Sequence, residues 1–569
     1  MDVALLAVSA VLCIAGVTAF APRVGVAAPL VLVLIGVAVS LLPFVPVVEV
    51  DPEWILMGVL PPLLYSAAVS MPAMDFRRDL RAISSLSVVL VVVSALVIGV
   101  LIDRTVPGVG LATGIAVGAI ISPTDAVATT IVSRLGASPR VVTVLQGESL
   151  LNDATALVLL RSAVAATGAS VSLLGVAWDF VVAVAVAVAV GLLVGRLNLV
   201  VRRRVADPTV NTAISFAVPF VAYLPVEHFG ASGLVAAVAA GLYTGQAGPR
   251  YLEPQHRLSE EQNWRTIELL LEGGVFLLMG LELNGLVDDV HAEHDQLADA
   301  VRIGVLGIVI VVLVRAAYVV PLLWALGRRA RRGARVREHL EGWQSRLDED
   351  AVAATDHERL QTRVRRSLAD IDYLASAPLG WREGTVVVWA GMRGVVTLAA
   401  AQTLRADTPH RSVLVMIAFV VAVGSLLVQG GTLRFVVRGL GLAGEGATGD
   451  PGERTRLLTH LAAAGMEVLD DPGLARPDGR PYDESVVDRV RRQVSVPEDA
   501  EGWSAAHGHD EEYRTLRLAV ITSMRETLLR ARSDGTYDSA VLEGALHVLD
   551  ADQISLEVRG GPISPDQSQ

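Results

Sequence analysis

The chain has 569 residues, of which 52% are hydrophobic and 5% aromatic, and its formal net charge is −12 at pH 7. Its mean hydropathy of +0.52 excludes an ordinary soluble protein and predicts an all-α polytopic membrane protein. The negative charge concerns solubility rather than a partner, and the single cysteine, Cys13, excludes a disulfide within the chain.

Apolar segments long enough to cross a bilayer follow one another from the N-terminus. A crossing helix needs roughly 20 mainly apolar residues. The segments that meet this requirement are approximately 2–21, 24–43, 53–71, 83–102, 108–134, 148–167, 171–200, 208–225, 229–245, 264–286, 299–327, 381–404 and 411–437. We therefore predict about thirteen transmembrane helices, which are numbered below as spans 1 to 13.

Arginine in the connections between spans predicts the orientation of the chain, because cytoplasmic loops carry an excess of basic residues. Basic connections follow spans 1, 3, 5, 7, 9 and 11. Their arginines are Arg23, Arg77, Arg78, Arg81, Arg134, Arg140, Arg202, Arg203, Arg204, Arg250, Arg257 and those of residues 328–337. This alternation predicts a multi-pass protein of the cell membrane with its N-terminus outside and its C-terminus in the cytoplasm.

Two parts of the chain are polar. Residues 328–380 form a charged insertion between spans 11 and 12 of the transmembrane domain, which covers residues 1–440. Residues 441–569 begin with a glycine-rich linker and form a cytoplasmic tail that we expect to be helical and regulatory. Neither part carries a metal or nucleotide signature, so we expect no cofactor and no nucleic-acid partner.

The first polar group inside a span is Ser122-Pro123-Thr124-Asp125, in the middle of span 5. Proline removes a backbone donor and clashes with the preceding turn, so the helix should break there. A broken membrane helix is tolerated where it lines a cavity or an ion site. Thr124 and Asp125 would lie at the break, and Asp125 can also cap the second half of the helix.

The most polar stretch, residues 147–154, opens span 6. A charge at the centre of a membrane helix costs about 2.5–3.5 kcal/mol, so such residues usually mark an ion or proton path. Glu148 and Asn152 are four residues apart, as are Ser149 and Asp153, and all four therefore share one side of the helix. We expect this side to face protein rather than lipid.

Span 12 contains Gly391-Met392-Arg393-Gly394, in which glycines flank a mid-span arginine. This predicts a second unwound stretch and a guanidinium turned inward, which needs a carboxylate partner such as Glu148, Asp153 or Asp125. Other charges inside predicted spans are expected to have structural roles. They are Arg161, Glu268, Glu272, Glu282 and Arg315.

Four segments together resemble the sodium/proton antiporters of the monovalent cation:proton antiporter-1 family. They are LPPLLYSAA in span 3, SPTDAVA in span 5, GESLLNDATALV in span 6 and WAGMRGVVTLA in span 12. The likeness covers roughly residues 1–440. The insertion 328–380 and the tail from Glu512 to Leu549 are similar to those of the family's long bacterial subgroup.

The resemblance implies two inverted six-helix repeats, spans 1–6 and 8–13, joined by span 7. Spans 4–6 and 11–13, about residues 83–167 and 299–437, would form the transporting core, in which spans 5 and 12 unwind and cross. The remaining spans would form the interface of a homodimer in the lipid bilayer.

The resemblance also implies that Asp153 is the carboxylate that carries the cation or the proton, with Thr124, Asp125 and Ser149 around it. Sodium would be bound at Asp153, Ser149 and Thr124, since a hard cation prefers oxygen ligands. If only the neutralised site can cross the hydrophobic barrier, exchange is obligatory.

Four further positions follow from the same resemblance. Asn152 stands where electrogenic relatives have a second aspartate, which implies electroneutral exchange of one cation for one proton. Glu148 and Arg393 match an ion pair that holds the core together. Ser66 departs from the family, because many relatives have glutamate or asparagine at that position of the span 3 motif.

Three alternatives remain open from the sequence. Potassium can replace sodium as the exchanged ion, and a cation channel or uniporter can use the same polar path. A receptor or membrane enzyme that works through its tail is disfavoured, because residues 440–569 contain no catalytic constellation. One carboxylate between two broken helices suits alternating access better than the several weak sites of a channel. We therefore predict a secondary active antiporter and not an enzyme.

Overall fold

The computed structural model describes residues 3–43, 45, 51–166, 173–293, 297–349, 355–444, 451–476, 478–494 and 511–559. The regular structure of these residues is helical. The chain divides into two compact units. The first comprises residues 1–251, 259–328 and 379–446, and the second comprises residues 252–258, 329–378 and 447–569.

The first unit contains the apolar helices, of which α12 begins and α14 ends in the second unit. The helices are α1 Val3–Val24, α2 Ala28–Ser40, α3 Leu60–Ser70, α4 Ala73–Ser84, α5 Val91–Thr105, α6 Gly110–Ile121, α7 Val127–Arg134, α8 Pro139–Ala166, α9 Leu173–Arg202, α10 Pro208–His228, α11 Gly233–Tyr251, α12 Pro254–Leu281, α13 Leu283–Glu293, α14 Leu297–Glu349, α16 Trp381–Trp389, α17 Val395–Gln402, α18 Arg411–Ser425 and α19 Gly431–Gly439. Stretches of π-helix, Trp54–Val59, Ser85–Leu90 and Leu426–Gly430, precede α3, α5 and α19.

Seven helical stretches in the described ranges are long and apolar enough to cross a membrane. They are Leu5–Val24, Ala73–Thr105, Pro139–Ala166, Phe180–Arg202, Pro208–His228, Leu297–Arg332 and Arg411–Gly439. Each of the predicted spans overlaps a helix of the structure, and the protein is a multi-pass helical membrane protein. The total of thirteen crossings and the inverted repeats stay predictions.

The helices that contain predicted spans 5 and 12 are interrupted where their sequences predicted a break. α6 ends at Ile121 and α7 begins at Val127, with Pro123 between them. α16 ends at Trp389 and α17 begins at Val395. Each break frees backbone N–H and C=O groups inside the molecule, and these groups need new partners.

Three helices extend well beyond the apolar spans from which they were predicted. Span 10 was expected to begin at residue 264, whereas α12 begins at Pro254. Span 6 was expected to begin at residue 148, whereas α8 begins at Pro139. Span 11 was expected to end at residue 327, whereas α14 continues to Glu349. Hydropathy identifies only the apolar part of a helix, because the requirement for apolar residues ends at the edge of the hydrocarbon.

Close packing of α5 against α6 depends on glycine. A Cβ atom on Gly118 of α6 would lie only 2.2 Å from the carbonyl oxygen of Ala95 of α5. In membranes small residues let helix backbones approach closely, and dispersion contacts then hold the helices together. This contact places the C-terminal end of α6, just before the break, directly against α5.

The second unit combines the insertion with the tail. Its helices are α15 Thr355–Ser376, α20 Pro451–Leu469, α21 Glu484–Val494, α22 Glu511–Asp534 and α23 Ser539–Arg559. The apolar face of α22 is fully buried, and α15 of the insertion contacts α22, where Arg366 Nε donates to the carbonyl oxygen of Ser533 at 2.9 Å. Arg257, just after the start of α12, pairs with Asp550 of α23 at 2.5 Å. A regulatory role for the tail stays a prediction.

Candidate ion-binding site

The polar side of α8 is buried inside the first unit. Glu148 and Asn152 are at most 1% exposed, and Ser149 and Asp153 are 7% and 6% exposed. Polar groups that are buried to this extent need hydrogen-bond or charge partners. The partners of Glu148 and Asn152 come from the break between α6 and α7 and from α14.

Asn152 joins α8 to the break between α6 and α7. Its Nδ2 donates to the Oγ1 atom of Thr124 at 2.7 Å. The Thr124 hydroxyl in turn donates to Oε1 of Glu148 at 3.3 Å. The Thr124 hydroxyl is therefore held between two side chains of α8.

The partner of Glu148 differs from the one expected from the sequence. Arg315 of α14 donates to both carboxylate oxygens of Glu148, with Nη2 to Oε2 at 2.7 Å, and both side chains are only 2% exposed. Nε of Arg315 donates to the carbonyl oxygen of Val387 at 2.8 Å. A bidentate pair satisfies the charge of a buried carboxylate, so Arg315 takes the place that was predicted for Arg393.

Arg393 instead binds backbone carbonyl groups at the two helix breaks. Its Nε donates to the oxygen of Ile121 at 2.9 Å, its Nη2 donates to the oxygen of Ser122 at 3.3 Å, and its Nη1 donates to the oxygen of Gly391. These carbonyls lie at or just beyond the C-terminal ends of α6 and α16. A cation there satisfies free acceptors and stabilises the negative ends of the helix dipoles.

Whereas Arg393 lies at the C-terminal ends of α6 and α16, Asp125 lies at the N-terminal ends of α7 and α17. Its Oδ1 accepts the N–H of Val127, in the first turn of α7, at 2.8 Å. Its Oδ2 lies against Gly394, the residue that precedes α17. The Asp125 N–H donates to the oxygen of Met392 at 2.8 Å. The two breaks therefore meet, and an aspartate and an arginine stabilise their positive and negative ends.

Gly394 is required for this contact, and its substitution is a direct test of it. A Cβ atom at position 394 would lie 1.3 Å from Oδ2 of Asp125. We therefore expect Gly394→Ala to displace Asp125, to lower the thermal unfolding midpoint and to reduce transport by at least an order of magnitude, since overpacking typically costs about 1–3 kcal/mol or more. Gly16→Ala, where a Cβ would meet no atom within 4 Å, is the control. Wild-type stability and transport in Gly394→Ala would contradict the proposed contact.

Four of the predicted ion-site residues line one cavity of about 660 Å³: Asp153, Ser149, Thr124 and Asp125. Asn152 is bonded to Thr124 and so supports the wall of the cavity. Carboxylate and hydroxyl oxygens in a cavity of this size suit a hard monovalent cation or a proton on a carboxylate.

Two further carboxylates that line the same cavity come from α12. They are Glu268 and Glu272, for which the sequence suggested structural roles. Their signal in the sequence is the spacing of four residues, which places both on one face of a helix. Hydropathy does not show that this face of α12 lines the same cavity as the polar side of α8.

The chain matches the transmembrane sodium/hydrogen exchanger family over residues 7–439. It belongs to this family. An Escherichia coli protein described as an uncharacterized Na⁺/H⁺ exchanger is 30% identical over 562 residues, covering 92% of each chain. A Na⁺/H⁺ antiporter of Aphanothece halophytica is 27% identical, covering 91% of this chain and 88% of its own.

A sodium proton antiporter from Methanocaldococcus jannaschii has a similar structure. The TM-score is 0.54 at 16% sequence identity, and the similarity covers 78% of this chain and 99% of the other. At this identity the likeness concerns the fold. The protein is therefore a membrane transporter with an antiporter fold and is not an enzyme.

Proposed function

We propose that this family member exchanges sodium for protons, one cation for one proton, and that both ions compete for Asp153. The observation that carries the proposal is the position of Asp153. It is buried in α8, yet it lines a cavity together with the hydroxyl groups of Ser149 and Thr124. Sodium would be bound by these oxygens, and a proton would be bound by the carboxylate alone.

Competition for one carboxylate gives the coupling between the two ions. The bare carboxylate is costly to move through the low-dielectric part of the protein, whereas a protonated or sodium-bound carboxylate is neutral. A site that moves only when it is neutral must carry either sodium or a proton in each direction. Alternating access of this kind exchanges the two ions and does not leak either of them.

The amide of Asn152 supports an electroneutral stoichiometry. It is fully buried beside Asp153 and is bonded to Thr124, so this pair of positions has one titratable group. One proton then replaces one sodium ion, and no net charge crosses the membrane in a cycle. The membrane potential acts only on net charge that moves.

The arginines near the mouth of the cavity support an inward-facing state. Arg134 and Arg265 are exposed, and both line the cavity. They lie at or beside connections that the excess of arginine assigns to the cytoplasm. In this orientation the N-terminus is outside the cell membrane, the C-terminus is cytoplasmic, and Asp153 exchanges ions with the cytoplasm in the state described here.

The described contacts also suggest which parts move together. Glu148, Arg315, Asp125 and Arg393 connect α6, α7, α8, α14, α16 and α17 by buried charges and helix caps. We propose that these helices form the core that moves as one body, within two inverted six-helix repeats. The remaining helices of the transmembrane domain would form the interface of a homodimer.

Liposomes that contain the purified protein test the exchange and its stoichiometry. Addition of sodium outside should change the internal pH, and the initial rate should be the same when the membrane voltage is clamped at 0 or −100 mV. Potassium and lithium in parallel runs identify the preferred ion. A rate that follows the voltage would contradict electroneutral exchange, and voltage-driven cation flux without proton movement would favour a channel.

A further inference from the structure

Two glutamates of the cavity lining, Glu268 and Glu272, have no role in the exchange at Asp153. They are called the acidic wall below. The α12 residues that line the cavity become less exposed from the N-terminal to the C-terminal part of the helix. Arg265 is exposed, Glu268 and Glu272 are half-buried, and Phe276 is only 3% exposed. The helix therefore runs along the cavity from its mouth inward, and the two glutamates lie between the solvent and the buried end.

Glu272 lines the cavity together with other carboxylates. Asp125, Asp153 and Glu268 line it as well, and exposed Arg134 belongs to the same lining. Glu268 and Glu272 are four residues apart on one helix face, where like charges repel and destabilise the helix. A cation among these oxygens would remove the repulsion.

Glu268 shares its helix with a cation of the cavity lining, Arg265, three residues earlier on α12. Arg265 donates to Glu261 at 2.6 Å, with 74% of its own side chain exposed. This cation is therefore engaged with Glu261 at the protein surface, and Ser66 of α3 does not stand among the residues that line the cavity.

An independent observation on another helix indicates an occupant. Thr397, in the first turn of α17, lines the cavity and is 1% exposed. Among the described residues its Oγ1 atom has no hydrogen-bond partner. A buried hydroxyl without a partner is unfavourable unless an ion or an ordered water molecule occupies the adjacent space.

We propose that Glu272 and Thr397 form a second position for a monovalent cation in this cavity, before Asp153 on the path from the mouth, and that Glu268 attracts the cation toward it. The proposal rests on the exchange at Asp153 proposed above and extends it by an additional site. A hard cation is suited to a carboxylate and a hydroxyl as ligands. The acidic wall also raises the local cation concentration.

Binding of radioactive sodium to the purified full-length protein tests for the second position. We expect Asp153→Asn to keep one saturable sodium site. Addition of Glu272→Gln or Thr397→Val to Asp153→Asn should weaken that remaining site about tenfold or more, within the range by which focused charge changes local ion concentration. Addition of Glu282→Gln, at a buried glutamate that directly follows α12 and lies outside the cavity lining, should leave it unchanged.

The opposite results overturn the second position. It is refuted if Asp153→Asn alone removes all saturable binding, or if the remaining site is insensitive to both Glu272→Gln and Thr397→Val. In liposomes, Glu272→Gln as a single change should raise the sodium KM about tenfold and change kcat less than twofold. An unchanged KM contradicts the proposal. Absence of proton-coupled exchange in the unmodified protein would refute the proposed function, whereas the binding measurement would still report on the second position.

Discussion

Asp153→Asn should abolish cation-driven proton movement in liposomes and leave a folded protein. The substitution keeps the shape of the side chain but removes the only charge that it brings to the cavity, so neither a proton nor a sodium ion can be bound in exchange for the other. Within the described ranges Asp153 forms no ion pair, so its substitution leaves no buried arginine without a partner. We expect the rate to fall to that of empty liposomes and the thermal unfolding midpoint to stay within a few degrees.

The matched control is Asp103→Asn, which removes an exposed aspartate near the end of α5 and should leave the rate unchanged. Sodium-driven pH changes that persist at half the normal rate or more in Asp153→Asn would show that another group carries the proton. Asp125 would then be the next residue to test, because it lines the same cavity.

The sequence predicts the helix breaks well because their causes are local. Pro123 cannot continue a helix, and Gly391 and Gly394 favour irregular backbone in span 12. The structure places interruptions at both sites. Helix bounds are less well predicted, because α8 and α14 continue through polar residues that hydropathy does not count.

The wrong partner for Glu148 has a different cause. The sequence shows that Arg315 and Arg393 both lie within apolar spans, but it does not show how each helix is rotated. Arg393 lies where helix ends expose carbonyl oxygens, and it is satisfied by Ile121, Ser122 and Gly391. Free carbonyls at a break are a property of the folded backbone, so a search for carboxylate partners in the sequence overlooks them.

The same limitation applies to the acidic wall of the cavity. Two glutamates four residues apart predict a shared helix face, but the cavity that this face lines is formed with residues distant in the sequence, such as Asp153 and Thr397. Ser149, Asn152 and Asp153 lie on one stretch of one helix, so the sequence alone places them together, and their role in ion binding stays a prediction.

Arg315→Ala should reduce the amount of folded protein much more strongly than the substitution of an exposed arginine. It leaves the carboxylate of Glu148 buried without a cation, and breaking a buried pair in this way typically costs about 3–5 kcal/mol. Expression in membranes and the thermal unfolding midpoint of the purified protein are the measurements. Arg161→Ala is the control, because Arg161 is half-exposed and its pair with Glu227 should contribute about 0–1 kcal/mol.

A second substitution distinguishes the pair in the structure from the pair expected from the sequence. Replacement of Glu148 by Gln removes the stranded charge, so Glu148→Gln should restore part of the stability that Arg315→Ala loses. It should not rescue Arg393→Ala, because that substitution strands backbone carbonyls rather than a carboxylate. Rescue of Arg393→Ala but not of Arg315→Ala by Glu148→Gln would show that Arg393 is the true partner. The buried ion pair of Glu148 would then join α8 to the break between α16 and α17, and α14 would not contribute to it.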